Sequence, residues 1–575
     1  GGSIFLCDAL YKATKLKYVA CHHEQAVAYA TEGYARAKNK PGAAIVTTGP
    51  GGTNTASGVA CCWIDSVPAL FISGQVFLNQ TIGKSGIRQI GVQEFDIVSM
   101  IKSSTKYAVI VKKPEDIKYH LEKAYYLCLK DRPGPVWLDI PLDIQSKLIS
   151  PDECASFEPE EDNNVEKDLL KKQVGECIAL LKKAERPVLI SGYGIRLSNG
   201  ESEFLQLIER LGIPVISSWT SSDLLSDTHE LSIGRSGIFG DRAGNFTVQN
   251  SDLLLSVGSR LSVPQVGYNF PLFARAAKKI IVDIDSAELK KPSLKPDLPI
   301  QADAREFMIE LFVQLKKVKP FKISSWLQRC QGWKQKYPVV LQKYKESKDT
   351  VNSFYFIQVL SEKLDEKATV VTDMGTSFTC TMQTFKTKLG QRLFTSSGHA
   401  SMGFGLPGAI GACCGNNRKD TICISGDGGL QMNIQELQTI VHYNLPIKLF
   451  VLNNNGYLTI KSTQQNHFGR FVGAEKSSGV TCPDIIKVAA AYGLPTATIV
   501  NTEELNMKID SILQTPGPIV CEIIMSENQP LIPRVSSLKK PDGTIISKPI
   551  EDLYPFLDRE EFFENMIVDP TEILK

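Results

Sequence analysis

The sequence predicts an α/β protein built from three doubly wound parallel-sheet domains. Short apolar, β-branched runs alternate with helical patterns in three blocks, 1–150, 169–316 and 352–535. Two polar stretches that lack this alternation, 151–168 and 317–351, read as linkers, and 536–575 follows as a tail. With 575 residues the chain exceeds a single core, and a prior of roughly 150 residues per domain suggests three or four.

In the first block, 5–13 reads as helix and 17–20 as a strand that leads into His22-His23-Glu24-Gln25. A helix follows through Tyr34, where alanines and Gly33 permit close packing. Residues 43–48 form a strand that ends in the Gly49-Pro50-Gly51-Gly52 turn, 55–64 a helix, and 67–73 and 134–140 buried strands. The acidic Glu158 and Glu160-Glu161-Asp162 mark the first linker. Strands at 187–190, 214–218, 253–257 and 279–284 define the second block, and the basic stretch 316–348 is helical in part. The tail holds a Pro541-Asp542-Gly543 turn and an acidic, aromatic segment, 551–563. No internal repeat is visible, although the first and third blocks look alike in architecture.

The third block carries the clearest chemistry. Residues 421–458 read as a strand that stops at Gly426-Asp427-Gly428-Gly429, one amphipathic helix with Ile434, Leu437 and Ile440 on a face, and a second strand ending on Asn453-Asn454. Both polar clusters then sit at carboxyl ends of strands, where open α/β sheets bind ligands. One carboxylate (Asp427), one amide oxygen (Asn454) and a carbonyl suit Mg²⁺, which takes its remaining ligands from phosphate and water. The glycines let backbone approach a diphosphate at a helix N-terminus. An Asp-Gly turn and a polar strand end are the bland alternative, and the one-helix spacing to the second cluster argues against it.

Composition excludes several classes. The hydrophobic fraction of 43% and the charged fraction of 22% are those of ordinary globular domains. A net charge of +2 gives no bulk reason to expect nucleic acid or an anionic membrane as partner. No apolar run approaches a membrane span and no secretory signal opens the chain. The 14 cysteines show neither CxxC nor zinc spacing, which suits buried reduced thiols in a cytoplasmic protein. The chain opens on Gly1-Gly2-Ser3 without Met, consistent with a preceding piece.

The 421–458 stretch resembles the GDG…NN motif of thiamine diphosphate (ThDP) enzymes. The resemblance implies that Asp427 and Asn454 bind Mg²⁺, with the backbone carbonyl of Gly456, and that Gly426, Gly428 and Gly429 serve the cofactor. Glu24 resembles that family's glutamate, which drives the aminopyrimidine tautomer that deprotonates the thiazolium. Taken alone it would be a first-turn glutamate favoured by the helix dipole. The stretch 47–54 resembles the TxGPG loop of acetolactate synthase-like members, implying that Pro50, Gly51 and Asn54 approach the cofactor. Gln93 and Lys106 match the active-site Gln and Lys of that group, with a surface glutamine and a solvated lysine as alternatives. Met402 matches the methionine that props the cofactor into its bent shape. His22 and His23, adjacent and pointing apart, make a poor metal pair.

By the same resemblance the blocks are a pyrimidine-binding domain, a central flavin-type domain and a diphosphate-binding domain. Gly192, Gly194, Gly258, Ser259 and Arg260 follow central strands, which implies FAD, and Asp283 or Asp285 would hold a ribose or close a turn. The pattern departs from acetolactate synthases where the acceptor would sit. Val92 replaces Phe, Pro264 stands where an Arg grips the acceptor carboxylate, and Thr463 stands near the position of a Trp. The implied activity is decarboxylation of a 2-ketoacid such as pyruvate, with transfer of a two-carbon acyl anion equivalent to a carbonyl acceptor. A nucleotide-linked keto-sugar is one acceptor class, with Arg235, Arg242 and Lys539-Lys540 as candidates for its diphosphate. An authentic acetolactate synthase, a simple decarboxylase, a pyruvate oxidase and a non-catalytic nucleotide binder are the alternatives. A pure binder has no use for Glu24. The resemblance also implies a homodimer or homotetramer.

Overall fold

The computed structural model describes residues 1–159, 166–539 and 542–571. Glu160-Glu161-Asp162 of the first linker, Pro541 of the tail turn, and the side chains of Lys539-Lys540 lie outside the described residues. Three parallel sheets confirm three α/β domains.

The first sheet has four strands in the order β1-β2-β4-β3. They are β1 (Gly42–Val46), β2 (Ala69–Gln75), β3 (Tyr107–Ile110) and β4 (Pro135–Pro141). The strand expected at 17–20 does not form. That segment crosses to the third domain, where the Ala20 N–H donates to the Tyr443 hydroxyl at 2.9 Å. The central sheet has six strands, not four, in the order β10-β9-β8-β5-β6-β7. They are β5 (Pro187–Ser191), β6 (Val215–Ser217), β7 (Ser232–Arg235), β8 (Leu253–Val257), β9 (Lys278–Asp283) and β10 (Leu298–Gln301). The two missed strands are short edges, and Gly234 and Pro299 within them mask the strand pattern.

The third sheet runs β12-β11-β13-β14-β16-β15. Its strands are β11 (Thr369–Thr372), β12 (Arg392–Phe394), β13 (Thr421–Gly426), β14 (Ile447–Asn453), β15 (Thr496–Ile499) and β16 (Ile519–Ile524). A hairpin, β17 (Ser537–Lys539) with β18 (Ile545–Ser547), opens the tail. The tail then returns to the central domain: Ile550 and Phe562 are buried in that domain's core, and buried Glu551 pairs with Arg275 at 2.7 Å. The stretch 317–351 also contributes to that core through Trp326, Cys330 and Trp333 of helix Ser324–Lys336. All fourteen cysteines are free, and no helix among the described residues is long and apolar enough to cross a membrane.

The first and third domains meet through helix α1 (Glu24–Lys38) and helix α2 (Gly405–Gly415). The backbones approach so closely that a Cβ on Gly33 would overlap the Gly408 carbonyl, and one on Gly411 the Ala30 carbonyl. Backbone on both sides leaves no soft neighbour to yield. Gly411→Val is therefore expected to cost at least about 1–3 kcal/mol, the usual range for overpacking, read as a lowered Tm in thermal unfolding.

Candidate active site

The parallel register sets Gly426 opposite Leu452, so the two polar clusters emerge side by side from β13 and β14. Asp427 is buried, and its Oδ2 accepts the backbone N–H groups of Asn454 at 3.2 Å and Gly456 at 3.1 Å. Its Oδ1 accepts the Gly428 N–H at 2.8 Å. Burial pushes the carboxyl up to about 6 against these donors. Beside it the buried Asn454 Oδ1 has no hydrogen-bond partner. A buried orphan acceptor beside a buried carboxylate is the donor set a hard divalent cation satisfies. Gly456 takes φ 147°, a conformation that β-carbon-bearing residues rarely adopt, and thereby reaches this corner.

Gly428 packs tightly in this corner. Its N–H is taken by Asp427, and a Cβ there would overlap the Tyr457 ring. A single amphipathic helix does not follow β13 either. A short turn of helix, Asp427–Leu430, runs into a 3₁₀ segment that breaks at Asn433 before helix Leu437–Tyr443. Asn433 leaves helical geometry while its amide donates to the Gly403 carbonyl at 2.9 Å and to Gln25 Oε1 at 3.1 Å.

Sequence reading missed Asp373, at the end of β11. Fully buried, it accepts the Gly403 N–H at 2.9 Å and the Ser425 hydroxyl at 2.9 Å, and burial pushes it up to about 6. It thereby fixes the turn that carries Met402. Met402, Gly426, Gly428, Gly429, Asn454 and Tyr457 line one small cavity of about 50 Å³ with Asp427. An aspartate directly after a β-branched run was the signal available for Asp373.

A second cluster lies on the first domain. Glu24 opens α1, half-buried, and its Oε2 accepts the Asn54 amide at 3.0 Å. A Cβ on Gly51 would come within 3.8 Å of Glu24 Oε1. Pro50 starts the short helix Pro50–Thr53, preceded by Gly49 at φ 60° against the Gln93 carbonyl. Gln93 itself holds φ 64° and is exposed. Beneath the loop, Thr48 Oγ1 donates to Gln75 Oε1 at 2.7 Å and Gln75 donates to Asp139 at 3.0 Å. Burial pushes Asp139 up to about 7. The N–H groups of His22 and His23 both donate to Glu436 of the third domain at 3.0 Å, so neither backbone is free to hinge. Within one chain, third-domain residues alone line the Asp427 cavity, and Glu24 is not among them.

Three domain families of thiamine pyrophosphate enzymes match this chain. The N-terminal TPP binding domain matches 1–100, the central domain 174–311 and the C-terminal TPP binding domain 373–523. The chain is 32% identical over 562 residues to the acetolactate synthase large subunit of Pyropia yezoensis, covering 96% of this chain and 92% of that protein. It is 33% identical over 546 residues to acetolactate synthase 2, chloroplastic, of Nicotiana tabacum, covering 93% and 80%. The chain belongs to the ThDP-dependent, acetolactate synthase-like enzymes. Within that family the clusters at Glu24 and Asp427 fall in the two TPP binding domains.

Other expected residues sit elsewhere in this ThDP enzyme. Lys106 lies away from both clusters, in the cleft toward the central domain, where its ammonium donates to the Lys130 carbonyl and to the Arg132 carbonyl at 2.8 Å. Arg235 is buried and donates to the Phe385 carbonyl at 3.0 Å, and Arg242 donates to the carbonyls of Leu553 and Pro555. Neither guanidinium stands ready for a sugar diphosphate. Pro264 lines a cavity of about 290 Å³ in the central domain with Gly194, Gly258, Ser259, Arg260 and Asp283. Gly192 does not line it, since its turn packs directly on Gly258. Asp285 does not line it either: it accepts the Ala287 N–H and pairs at 2.9 Å with Arg132, which does.

Proposed function

We propose that the chain is a ThDP- and Mg²⁺-dependent carboligase that takes pyruvate as donor and passes a two-carbon unit to an uncharged carbonyl acceptor, a nucleotide-linked keto-sugar being the class in view. When bound, ThDP supplies the carbanion chemistry of decarboxylation and carboligation. The observation that carries the reading is the unpartnered, buried Asn454 Oδ1 beside Asp427. With the Gly456 carbonyl these atoms would hold Mg²⁺, which would supply positive charge to offset that of the cofactor's diphosphate. Met402, set by Asp373, would support the cofactor from below. Glu24, oriented by Asn54, would hold and release a proton at the pyrimidine ring nitrogen.

The acceptor reading rests on three replacements. Val92 is 85% exposed beside Gln93, Thr463 follows the cavity-lining Thr459 by one helical turn, and Pro264 offers no donor. A carboxylate is held best by a bidentate, charge-assisted Arg pair, and without one its desolvation goes uncompensated. The test supplies pyruvate with either 2-ketobutyrate or a nucleotide-linked 4-keto-sugar and compares kcat/KM. A higher value with the sugar is expected. Faster formation of acetolactate from pyruvate alone would return the chain to the activity that its relatives' names carry.

The working unit in this reading is at least a homodimer. Third-domain residues alone line the cavity beside Asp427, and Glu24 is not among them. The partner copy would bring Glu24 to it. Sedimentation under assay conditions is expected to give no active monomer, and full activity in a monomer would refute the arrangement. FAD is the ligand proposed for the central-domain cavity, where Gly194 and Gly258 follow strand ends and buried Asp283 stands at a third.

A further inference from the structure

Asp139, in β4, is a buried carboxylate that takes no part in the chemistry assigned to Glu24 and Asp427. It stands opposite Ser73 of β2, and it accepts the Ser73 hydroxyl at 2.5 Å and a Gln75 side-chain N–H at 3.0 Å. Trp137 Nε1 donates to Ser73 Oγ at 2.8 Å, so the serine proton is left for Asp139. Gln75 is buried too, and its whole amide is engaged. Nε2 donates to Asp139 and, at 3.0 Å, to the Phe95 carbonyl. Oε1 accepts the Thr48 hydroxyl at 2.7 Å and the Val76 N–H at 3.0 Å. Two donors and two lone pairs are all that a side-chain amide has. A carboxylate and a carbonyl face its nitrogen while a backbone N–H faces its oxygen, so the amide has one orientation.

This amide joins two segments that lie far apart in sequence. Thr48 leads into the helix Pro50–Thr53, which its own backbone bonds hold, Thr53 N–H to Gly49 at 3.0 Å and Asn54 N–H to Pro50 at 2.9 Å. Phe95 follows the exposed pair Val92-Gln93 and buried Glu94. Glu94 accepts the Ile82 and Ile90 N–H groups at 2.7 and 3.0 Å, which closes the preceding loop. Gln93 holds φ 64°, and a residue with a β-carbon keeps that conformation only where its neighbours over-determine it. Its carbonyl lies so close to Gly49 that a Cβ there would come within 2.3 Å, and the Thr48 hydroxyl stands 3.4 Å from it. We propose that Gln75, oriented by Asp139, is a positioning residue that fixes Val92-Gln93 against the 47–54 loop and so sets the wall that the carbonyl acceptor meets. This rests on the reading in which Val92 and Gln93 face the acceptor. Gln75 and Asp139 act through that segment and touch no substrate themselves.

Gln75→Leu and Asp139→Asn in the full-length protein test this. Leucine keeps comparable bulk and removes all four bonds, and asparagine sets a new N–H donor against the Ser73 hydroxyl or the Gln75 amide. In hydrogen–deuterium exchange, residues 90–96 are expected to exchange at least about tenfold faster in both variants, with 421–458 within about twofold of wild type. A displacement of about 1 Å costs up to about 100-fold in rate, so the ratio of ligated product to CO₂ released from pyruvate is expected to fall about 10- to 100-fold, with ThDP affinity within about threefold. The acceptors are 2-ketobutyrate and a nucleotide-linked 4-keto-sugar, supplied separately. A merely structural role would lower ligation and CO₂ release together. That result, or unchanged exchange at 90–96, would overturn the assignment. Should Gln75→Leu fail to fold, Asp139→Asn decides by the same two readings. Wild-type protein that releases no CO₂ from pyruvate, or ligates neither acceptor, would instead strike the proposed function, and the exchange measurement would still decide whether Gln75 holds the segment.

Discussion

Asp427→Ala is expected to abolish Mg²⁺-dependent binding of ThDP. Residues that only orient metal ligands cost about 10- to 100-fold in affinity when removed, so loss of the single carboxylate of the site is expected to exceed about 100-fold. The carboxylate has a second task that raises the effect. Its Oδ2 gathers the N–H groups of Asn454 and Gly456 at 3.2 and 3.1 Å, and so shapes the turn that presents the other two oxygens. Alanine removes a ligand and frees the geometry of the remaining pair. Calorimetric titration with ThDP, with and without Mg²⁺, provides the check. A variant that still binds more tightly with Mg²⁺ than without would refute the assignment. Asn454→Ala is the milder comparison, because its Oδ1 has no partner within the protein to lose.

Local pattern made the centre of the site legible, and tertiary use of individual residues hid the rest. Asp427 and Asn454 could be paired from sequence because two adjacent parallel strands joined by a crossover bring their carboxyl ends side by side. The helix between them was misread because Ile434, Leu437 and Ile440 keep helical spacing after the break at Asn433, through the end of the 3₁₀ segment and the helix that follows. Asp373 carries no motif of its own. Its importance comes from Gly403 and Ser425, both distant in sequence. Lys106, Arg235 and Arg242 look in sequence like free cations. The structure places backbone carbonyls around them, and such a partner leaves no trace in residue identity. The edge strands β7 and β10 failed for a related reason, since an edge needs no continuous apolar run.

Glu24→Gln is expected to separate binding from activation. Glutamine keeps the size of the side chain and an acceptor oxygen for the Asn54 amide, which the carboxylate now holds at 3.0 Å. Packing against Gly51, whose Cβ position lies 3.8 Å from Glu24 Oε1, is likewise preserved. Affinity for ThDP is therefore expected to change by only a few-fold, because the proposed diphosphate and metal ligands, Asp427 and Asn454, lie in the third domain. An amide cannot hold and release a proton at the pyrimidine ring nitrogen, and removal of a general acid–base partner costs about 10²–10⁴ in rate. Quenched-flow deuterium exchange at the thiazolium C2, followed by NMR, measures that step directly and without a ketoacid substrate. The choice of readout matters, since overall turnover would also fall if the substitution merely loosened the start of α1. Exchange slowed by at least about 100-fold with ThDP affinity retained is the expected result. Exchange at the wild-type rate would remove Glu24 from the mechanism while leaving the metal site intact.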